Sequence, residues 1–361
     1  MKERIIKYLS CPGCKSNSDL KLKVSITDKN TNHIMEGNLE CLLCKTIYPI
    51  KGGVPLFCLS HTDPIVDLNR KNFADEWMYF TADIDKELAK RELDSYFHDF
   101  VTYSDLENKI VLDAGCGGGR FCYVVAAESK AKEIFAVDLS HAVFSAFKNT
   151  KQFDNVNIIQ GDLTNLPFKN LPEQELFDFI YSVGVLHHLP APKAGFSLLS
   201  KHLKKNGKIL VWVYGKEGNV LYINFADPIR NLITSKLPFK VNLVLSFTIS
   251  AILWAIIWLL YAPLNLILPS NTINKILPFN EYFNFFRKRG FKDFWRTVLD
   301  KMIPTISYYI SKNEFVDWFK ANNLNYKLYF RNGHSWVGLG EYPAEANVLP
   351  KKHTGAFVST N

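Results

Sequence analysis

The middle of the chain alternates between short apolar runs and amphipathic stretches. Five apolar runs have the length of buried strands, and they span residues 109–113, 133–137, 156–160, 177–182 and 208–214. The stretch after the first run carries apolar side chains at helical spacing up to Glu128. Because strands and helices alternate, the pattern predicts an α/β fold with a parallel, doubly wound sheet.

The two ends of the chain have patterns of their own. Residues 8–57 form short strand-like runs around two Cys-x-x-Cys pairs, and residues 83–100 have the apolar spacing of a helix. Residues 313–322 predict another helix, and alternating runs at 325–331 and 334–341 predict a terminal hairpin that completes the sheet. The predicted divisions are an N-terminal module at 1–60, a linker and lead-in helix at 61–105, a core at 106–215, a hydrophobic helical insertion or lid at 216–311, a C-terminal helix and hairpin at 312–345, and a tail at 346–361.

The insertion contains a long uncharged segment. Residues 241–274 carry no charged side chain, and residues 241–262 alone are long enough to span a bilayer as a helix. A single crossing would leave the terminal hairpin on the other side of the membrane from its sheet. Three interpretations remain: a hydrophobic lid over an apolar acceptor pocket, a monotopic element lying in the membrane surface, or a helical subdomain that packs on itself or on a partner subunit. The first two imply a lipophilic substrate.

The charge balance changes this picture little. Lysine and arginine total 43 against 35 acidic residues, and this mild excess leaves both nucleic acid and anionic lipid open as partners. The first ten residues are interrupted by charges and lack the apolar run of a secretory signal. Paired cysteines also suit a reducing compartment better than a disulfide framework. We therefore expect a cytoplasmic protein.

Two Cys-x-x-Cys knuckles predict a metal site in the N-terminal module. Cys11, Cys14, Cys41 and Cys44 can offer four thiolates to one Zn²⁺, because each knuckle places two of them on a tight turn. A module of this size has little core, so metal binding would supply much of its folding free energy. The alternative is a set of reduced structural cysteines without metal.

The first core strand runs directly into a glycine-rich turn. Gly115, Gly117 and Gly119 let the backbone turn tightly and approach a ligand at the start of the next helix. The second strand ends at Asp138, where an acidic side chain should accept hydrogen bonds from a ribose, and Asp162 follows the third strand at the same sheet edge. A nucleotide-containing cofactor is predicted. An NAD-dependent oxidoreductase is the alternative, but the glycine spacing departs from the dinucleotide-binding pattern.

In this order and spacing, the motifs V-L-D-A-G-C-G-G-G, A-V-D, G-D-L and Y-S-V-G-V-L-H-H-L resemble class I methyltransferases. The resemblance covers residues 106–215 and is to the broad group that contains quinone-biosynthesis methyltransferases. It implies a Rossmann-like, seven-stranded sheet and S-adenosylmethionine as the cofactor. The cofactor-binding residues that it implies are Asp113, Gly115, Gly117 and Gly119 around the methionine part, Asp138 at the ribose, Asp162 and Leu163 at the adenine, and Ser182 at the end of the fourth strand.

The first 60 residues resemble a second family. The C-P-x-C knuckle, the second C-x-x-C and the run Y-P-I-K-G-G-V-P after it are similar to the zinc-ribbon family that includes the small activator subunit of tRNA and protein methyltransferases. This implies a structural zinc and a scaffolding role. Residues 73–77, an F-x-x-x-W element similar to one in fused methyltransferases, predict either a cap on the nucleotide site or an aromatic anchor on the core.

Methyl transfer from a sulfonium is an in-line displacement, so it needs a positioned acceptor and, where the acceptor carries a proton, a base. His187 and His188 follow the fourth strand at the correct sheet edge, and imidazole titrates near neutral pH. A structural role is the alternative for both. Tyr214 and Glu217, at and just past the end of the fifth strand, are further candidates. Because no Pro-Pro-aromatic motif follows the fourth strand, oxygen or carbon acceptors, or an amine that is already neutral, are favoured.

The favoured function is methylation of a small, lipophilic metabolite or lipid precursor, by an enzyme that is cytoplasmic or peripheral at the membrane. The alternative is a tRNA or rRNA methyltransferase with the ribbon as a recognition module. Nucleic acid is disfavoured as a partner, because basic residues of the ribbon are not interleaved with stacking aromatics and an apolar insertion has no use on a polyanion. A catalytically inactive partner module is a third class, which the intact glycine turn disfavours. The sequence leaves the oligomeric state open.

Overall fold

A computed structural model of the chain describes residues 1–14, 18–58, 63–80, 84–169, 176–343 and 356–357. Within these residues the strands form two sheets, a four-stranded antiparallel sheet at the N-terminus and a larger mixed sheet. The predicted tail at 346–361 lies outside the described residues, apart from 356–357.

The smaller sheet forms the N-terminal ribbon. In chain order its strands are β1 Leu20–Thr27, β2 Ile34–Cys41, β3 Ile47–Lys51 and β4 Val54–Pro55. The ribbon is joined to the larger sheet, because isolated bridges pair Leu9 with Phe168 and Leu56 with Gln160. One hydrophobic core therefore runs from the ribbon into the larger sheet.

The larger sheet has the predicted doubly wound arrangement. Its strands are β5 Ile110–Ala114, β6 Glu133–Asp138, β7 Val156–Gln160, β8 Phe177–Val183, β9 Leu203–Tyr214, β10 Asn325–Arg331, β11 Ser335–Glu341 and β12 Ala356–Phe357. Their spatial order is β12-β10-β11-β9-β8-β5-β6-β7. Strands β5 to β9 pair in parallel, and β11 and β10 add the antiparallel hairpin beside β9. The predicted seven-stranded sheet is confirmed, with β12 as a short addition at the edge.

The helices cover both faces of this sheet and build the insertion. They are α1 Pro64–Phe80, α2 Lys86–Phe97, α3 Arg120–Glu128, α4 Val143–Thr150, α5 Pro192–Ser200, α6 Asp227–Leu232, α7 Phe239–Ile256, α8 Ala262–Ile267, α9 Ser270–Ile276, α10 Asn280–Arg289, α11 Phe291–Met302 and α12 Lys312–Ala321. The helix predicted at 83–100 is shorter, because the Asp85 carboxylate caps it by accepting a hydrogen bond from Leu88 N at 3.0 Å. Residue 83 lies outside the described residues.

The insertion leaves the sheet after β9 and returns to the same place. Gly215 pairs with Ile310, and Ile310 N donates a hydrogen bond to Tyr214 O at 2.8 Å. The core and the terminal hairpin are therefore one folded unit, in agreement with the sequence argument against a single membrane crossing.

One helix of the insertion exposes much of its apolar surface. Helix α7, a π-helical stretch and α8 form a continuous helix, Phe239–Ile267, that is long and apolar enough to cross a membrane. One side packs against α11, where the Trp254 and Phe294 ring centroids are 5.7 Å apart. The other side exposes Leu259 and Leu266 by 80% and 85%. One side of this helix thus packs within the insertion, and the other side is an exposed apolar face.

Candidate functional site

The four predicted metal ligands lie together. The Sγ atoms of Cys11, Cys14, Cys41 and Cys44 are all within 4.8 Å of one another, and Cys11–Cys44 and Cys14–Cys41 are each 3.6 Å apart. Thiolates at about 2.3 Å from a tetrahedral zinc ion are about 3.8 Å from each other. The cluster therefore fits one structural Zn²⁺.

Neighbouring polar groups favour thiolates in this cluster. The Ser18 hydroxyl lies 3.2 Å from Cys41 Sγ, and the N–H of Cys44 donates to the same sulfur at 3.4 Å. Burial raises the pKa of Cys41, but these donors lower it to about 6. The Tyr48 hydroxyl lies 3.1 Å from Cys11 Sγ. Such outer contacts orient the ligands of a metal site.

The glycine turn after β5 forms the floor of a cavity. A Cβ atom on Gly115 would lie 2.3 Å from a methyl group of Val185, and one on Gly117 would lie 2.9 Å from the indole of Trp77. Both glycines also have positive φ, so side chains at these positions would be strained and would close the turn. Gly119 follows and precedes α3.

Asp138, at the end of β6, is tied to this turn. Its Oδ2 accepts a hydrogen bond from Gly117 N at 2.9 Å, and its Oδ1 accepts one from Ser140 N at 2.8 Å. These bonds fix the carboxylate at the wall of a cavity of about 130 Å³, which we name the donor cavity. Predicted residues on its wall are Gly115, Asp138, Asp162, Leu163 and His188.

The donor cavity fits S-adenosylmethionine in its chemistry. The fixed Asp138 carboxylate suits ribose hydroxyls, the glycine turn leaves room for the backbone to approach a ligand, and Leu163 gives an apolar wall for a base. Asp162 accepts hydrogen bonds from the N–H and hydroxyl of Thr164, each at 2.7 Å, which holds its carboxylate at the rim.

Two predicted cofactor residues lie behind the cavity wall. Ser182 is fully buried, and its hydroxyl donates to Ala114 O at 2.9 Å, so it joins β8 to β5. Asp113 is buried beneath the glycine turn, and burial raises its pKa to about 7. The structure therefore assigns both to support of the turn, whereas direct contact with the cofactor stays a prediction for the wall residues.

We expect Asp138→Ala to weaken binding of S-adenosylhomocysteine by about 1–3 kcal/mol, because ribose hydroxyls would lose a charged acceptor. Isothermal titration calorimetry measures the dissociation constant. Asp99→Ala, at a side chain that is 93% exposed, is the matched control and should bind as the wild type does. An unchanged constant for Asp138→Ala would remove this residue from the site.

The aromatic element at 73–77 lies on the donor cavity, as the cap interpretation predicts. Phe73 and Trp77 both line the cavity, and the Phe73 and His188 ring centroids are 5.0 Å apart. The Trp77 indole also stacks 5.2 Å from the Arg120 guanidinium.

A second cavity of about 120 Å³, which we name the acceptor cavity, adjoins the first. Trp77, Val183, Gly184 and Asp300 line both. Helices α10 and α11 of the insertion, which we name the lid helices, contribute Tyr282, Arg289 and Asp300 to its lining. Its charged lining residues are Glu76, Glu92, Arg120, Arg289, Arg296, Asp300, Lys301 and Arg331, and its aromatic ones include Trp77, Tyr96, Trp212, Tyr214, Tyr282 and Phe285.

The two predicted histidine bases are poorly placed for proton transfer. His187 is fully buried, and neither ring nitrogen has a hydrogen-bond partner among the described residues. His188 lines the donor cavity only, and its Nδ1 lies 2.6 Å from Ile306 O. Burial lowers the pKa of His187 well below its usual value and that of His188 to about 4. Neither ring lines the acceptor cavity, so the geometry favours the structural alternative for both.

Tyr214 is the predicted catalytic residue that lies on the acceptor cavity. Its hydroxyl donates to Asp300 Oδ2 at 2.8 Å, and burial raises its pKa well above the usual value. It is therefore a hydrogen-bond donor at neutral pH. Glu217 instead accepts bonds from Lys312 N and Trp336 Nε1, both at 2.9 Å, which fasten the end of the insertion to the hairpin.

Sequence reasoning missed Asp300, Glu76 and Arg331 on the acceptor cavity. Asp300 and Arg331 belong to no motif, and they reach the site only through the folding of the insertion and the hairpin. Glu76 lies inside the 73–77 element, so for this residue the sequence offered a signal, namely its place in that element.

Comparison with known families divides the chain in the same way. The Methyltransferase domain family matches residues 105–223, and the Trm112p-like protein family matches residues 2–53. Among solved structures, magnesium protoporphyrin IX methyltransferase from Synechocystis shares 14% identity, with a TM-score of 0.43 over 75% of this chain and 97% of that one. A Haloferax volcanii complex of the Trm112 activator with a methyltransferase gives 12% identity and a TM-score of 0.36, over 72% of this chain and 97% of that one.

Sequence relatives are named tRNA U34 carboxymethyltransferase. The one from Pseudoalteromonas atlantica is 32% identical over 114 residues, which cover 32% of this chain and 34% of that protein. The one from Aliivibrio salmonicida is 27% identical over 202 residues, which cover 55% of this chain and 53% of that protein. The chain thus spans between about a third and a half of the length of these relatives. The resemblance predicted from the motifs is confirmed: this chain joins an N-terminal Trm112p-like, zinc-ribbon domain to an S-adenosylmethionine-dependent type of methyltransferase domain.

Proposed function

We propose that the protein is an S-adenosylmethionine-dependent methyltransferase that modifies RNA, with tRNA as the acceptor class. The main support is the acceptor cavity, where aromatic rings and cations alternate directly beside the donor cavity. The relatives, which are named for action on tRNA, support the same acceptor class.

The acceptor favoured in the sequence analysis, a small lipophilic metabolite or lipid precursor, is wrong, because the relatives are tRNA-modifying enzymes. The expectation that nucleic acid is disfavoured as a partner is wrong for the same reason. The ribbon indeed lacks interleaved basic and aromatic residues, but folding brings such residues together from α1, α3, α10 and the hairpin. This interleaving is not visible along the sequence.

The lining of the acceptor cavity suits an unstacked nucleobase and its phosphate. The Arg331 guanidinium lies 4.4 Å from the Tyr96 ring, and the Arg289 guanidinium lies 5.0 Å from the Phe285 ring. Aromatic and guanidinium planes stack on bases, and cations pair with phosphates. Burial lowers the pKa of Lys301 to about 8, so this amine remains mostly charged at pH 7 and can pair with an anion.

The bound cofactor supplies an electrophilic methyl group, and the protein supplies position. Asp138 and the glycine turn would hold the ribose and the methionine part. Trp77, between the two cavities, would keep water away from the reacting atoms and face the acceptor base. Positioning of this kind is the main catalytic contribution to a displacement reaction.

We expect purified protein to transfer a methyl group from radiolabelled cofactor to a total tRNA pool, and we expect salt to weaken tRNA binding. Nucleoside mass spectrometry identifies the modified base and separates a methyl from a carboxymethyl product. Asp138→Ala should lose transfer and retain tRNA binding. If RNA receives no label while S-adenosylhomocysteine binds normally, the acceptor class is not RNA.

We further propose that this cytoplasmic enzyme is seated peripherally on a membrane through the open face of Phe239–Ile267. The insertion also exposes the apolar side chains of Phe225 and Leu232, each by 70%. Exposed lysines at 236, 240 and 275 flank the open face, as expected for contact with anionic headgroups. An exposed apolar surface of this extent is unusual for a soluble monomer. In this proposal the enzyme is held at the membrane surface, and RNA is its substrate.

Replacing Leu259 and Leu266 with glutamate should release the protein from vesicles that contain phosphatidylglycerol, in a flotation assay. These positions are better than Trp254, which packs inside the insertion. Leu43→Glu, at a ribbon residue that is 66% exposed, is the control and should stay bound. Equal flotation of the double variant and the control would contradict the membrane contact.

A further inference from the structure

One carboxylate lies where the donor and acceptor cavities meet. Of the four described residues that line both cavities, Trp77, Val183, Gly184 and Asp300, only Asp300 is ionisable. In a displacement reaction the new bond forms where donor and acceptor touch. Asp300 is therefore on the wall beside the reacting atoms.

Tyr214, the last residue of strand β9, orients the Asp300 side chain. The Tyr214 hydroxyl donates to its Oδ2 at 2.8 Å, so Oδ1 is the oxygen that can turn towards a ligand. The Lys301 ammonium lies 4.4 Å from the centroid of the Tyr214 ring, and Lys301 follows Asp300 on α11. The phenol donor thus holds the Asp300 carboxylate in place where the two cavities meet.

A second carboxyl group faces the same cavity. Glu76 is 2% exposed, and its Oε2 has no hydrogen-bond partner among the described residues. Burial raises the pKa of Glu76 well above its usual value, the charge of Asp300 raises it further, and Arg296 and Arg120 oppose this. Burial and the charge of Asp300 thus both favour the neutral form of this carboxyl. A buried carboxyl oxygen without a partner is costly, so a ligand that bonds to it is the natural explanation.

We propose that Asp300 accepts the proton of the acceptor nucleophile, that Glu76 binds the acceptor through its unpartnered Oε2, and that Tyr214 is a positioning residue for Asp300. This inference rests on the proposed methyl transfer, and it confines the acceptor atom to an oxygen or nitrogen that carries a hydrogen.

The proposed step balances. A lone pair on the acceptor oxygen or nitrogen forms the bond to the methyl carbon, and the carbon–sulfur bond breaks with its electron pair going to sulfur. The acceptor's proton passes to Asp300 Oδ1 and leaves to solvent after product release. Because the acceptor atom gains positive charge as the bond forms, its proton becomes strongly acidic, and an ordinary carboxylate is then a sufficient base.

The variants Asp300→Asn, Glu76→Gln and Tyr214→Phe test these roles, with Asp317→Asn as the control. Asp317 lies on α12 with its side chain 59% exposed. We expect Asp300→Asn to lower kcat for tRNA methylation about 10²–10⁴-fold, with unchanged affinity for S-adenosylhomocysteine by calorimetry. Unchanged affinity also shows that the variant is folded. Wild-type kcat in Asp300→Asn would overturn the proposal.

Two further readouts separate the roles. Tyr214→Phe should lower kcat for tRNA methylation more than it raises the KM for tRNA, because the Asp300 carboxylate loses the donor that orients it; an unchanged kcat would overturn the positioning role. Glu76→Gln should raise the KM for tRNA more than it lowers kcat. An unchanged KM would overturn the binding role of Glu76.

A stability measurement distinguishes failure of this inference from failure of the proposed function. Since the pKa of Glu76 is raised on folding, its contribution to stability is complete below about pH 4.5 and declines as pH rises. The facing charges are Asp300 and Arg296 on α11 and Arg120 on α3. The Glu76→Gln variant should therefore have a higher melting temperature than the wild type at pH 8 but not at pH 4.5. If the wild type does not methylate RNA yet this gain is present, only the acceptor class fails; if neither is seen, both proposals fail.

Discussion

Removal of zinc is expected to unfold the ribbon and to destabilise the methyltransferase domain with it. The ribbon is held by short strands around the four-cysteine cluster. Zinc-finger peptides gain about 10–16 kcal/mol from zinc near pH 7, and a core of this size cannot replace that. Treatment with a chelator should abolish the ribbon's contribution to the circular dichroism spectrum and lower the melting temperature of the whole chain.

The effect should reach the methyltransferase domain because the ribbon packs directly on its sheet. The Tyr8 and Phe135 ring centroids are 5.3 Å apart, and Ser10 N donates to Pro167 O at 3.0 Å. Unfolding the ribbon would expose this part of the common core to water, at a cost of about 25 cal/mol per Å² of apolar surface.

Cys41→Ser should reproduce the effect of the chelator, since Cys41 is a fully buried ligand. Cys58→Ser is the matched control, because Cys58 is outside the cluster. Elemental analysis should give one zinc per chain for the wild type and the control, and much less for Cys41→Ser. A wild-type protein that is folded and contains only traces of zinc would contradict a structural role for the metal.

Strand positions could be predicted from the sequence because the central strands are buried on both faces. All five apolar runs are strands, and β7 matches its predicted bounds. The largest difference is at β9, which begins at Leu203 rather than at 208. The polar residues 204–207 form a bulge inside the strand, where Asn206 has φ +61° and the register with β8 shifts. Pairing with the neighbouring strand continues β9 through these polar residues, which apolar patterning alone does not predict.

Helix α1 was missed because its buried face is polar. Its buried residues include Asn69, Arg70 and Glu76, so the apolar periodicity that marks a helix is absent. Asn69 accepts a hydrogen bond from Thr305 N at 2.9 Å, and Arg70 pairs with Asp67 at 2.8 Å. Asn69 is satisfied only in the fold, since its partner Thr305 comes from the far end of the insertion.

The acceptor side of the site was missed for a related reason. Cofactor residues follow strands in a fixed order, so motifs and spacing locate Asp138 and Asp162. Asp300 is more than 80 residues after β9 in an insertion with no motif. Its place beside Tyr214 depends on how α11 folds back over the sheet, and local sequence carries no signal for that.

Replacing Glu92 with glutamine should cost about 3–5 kcal/mol of folding stability, the range for breaking a buried ion pair from one side. Glu92 on α2 has a side chain that is 5% exposed and pairs with Arg120 on α3 and with Arg289 and Arg296 of the insertion. The variant would leave three guanidiniums facing one another, with Asp293 still paired to Arg289. The lid helices α10 and α11 should loosen first, which hydrogen exchange can localise.

This contribution should depend on pH in a defined direction. Burial alone would raise the pKa of Glu92, but the three arginines outweigh it and lower the value from 4.5 to about 2. A lowered carboxyl pKa gives stability that is complete above about pH 4.5 and is lost as pH falls towards 2, here about 3 kcal/mol. Urea unfolding at pH 7 and pH 3 should show a large gap between wild type and Glu92→Gln at pH 7 and a smaller gap at pH 3. Glu107→Gln, at a side chain that is 51% exposed, should match the wild type at both. A gap that is the same at both pH values would mean that the charge of Glu92 does not join the lid to the core.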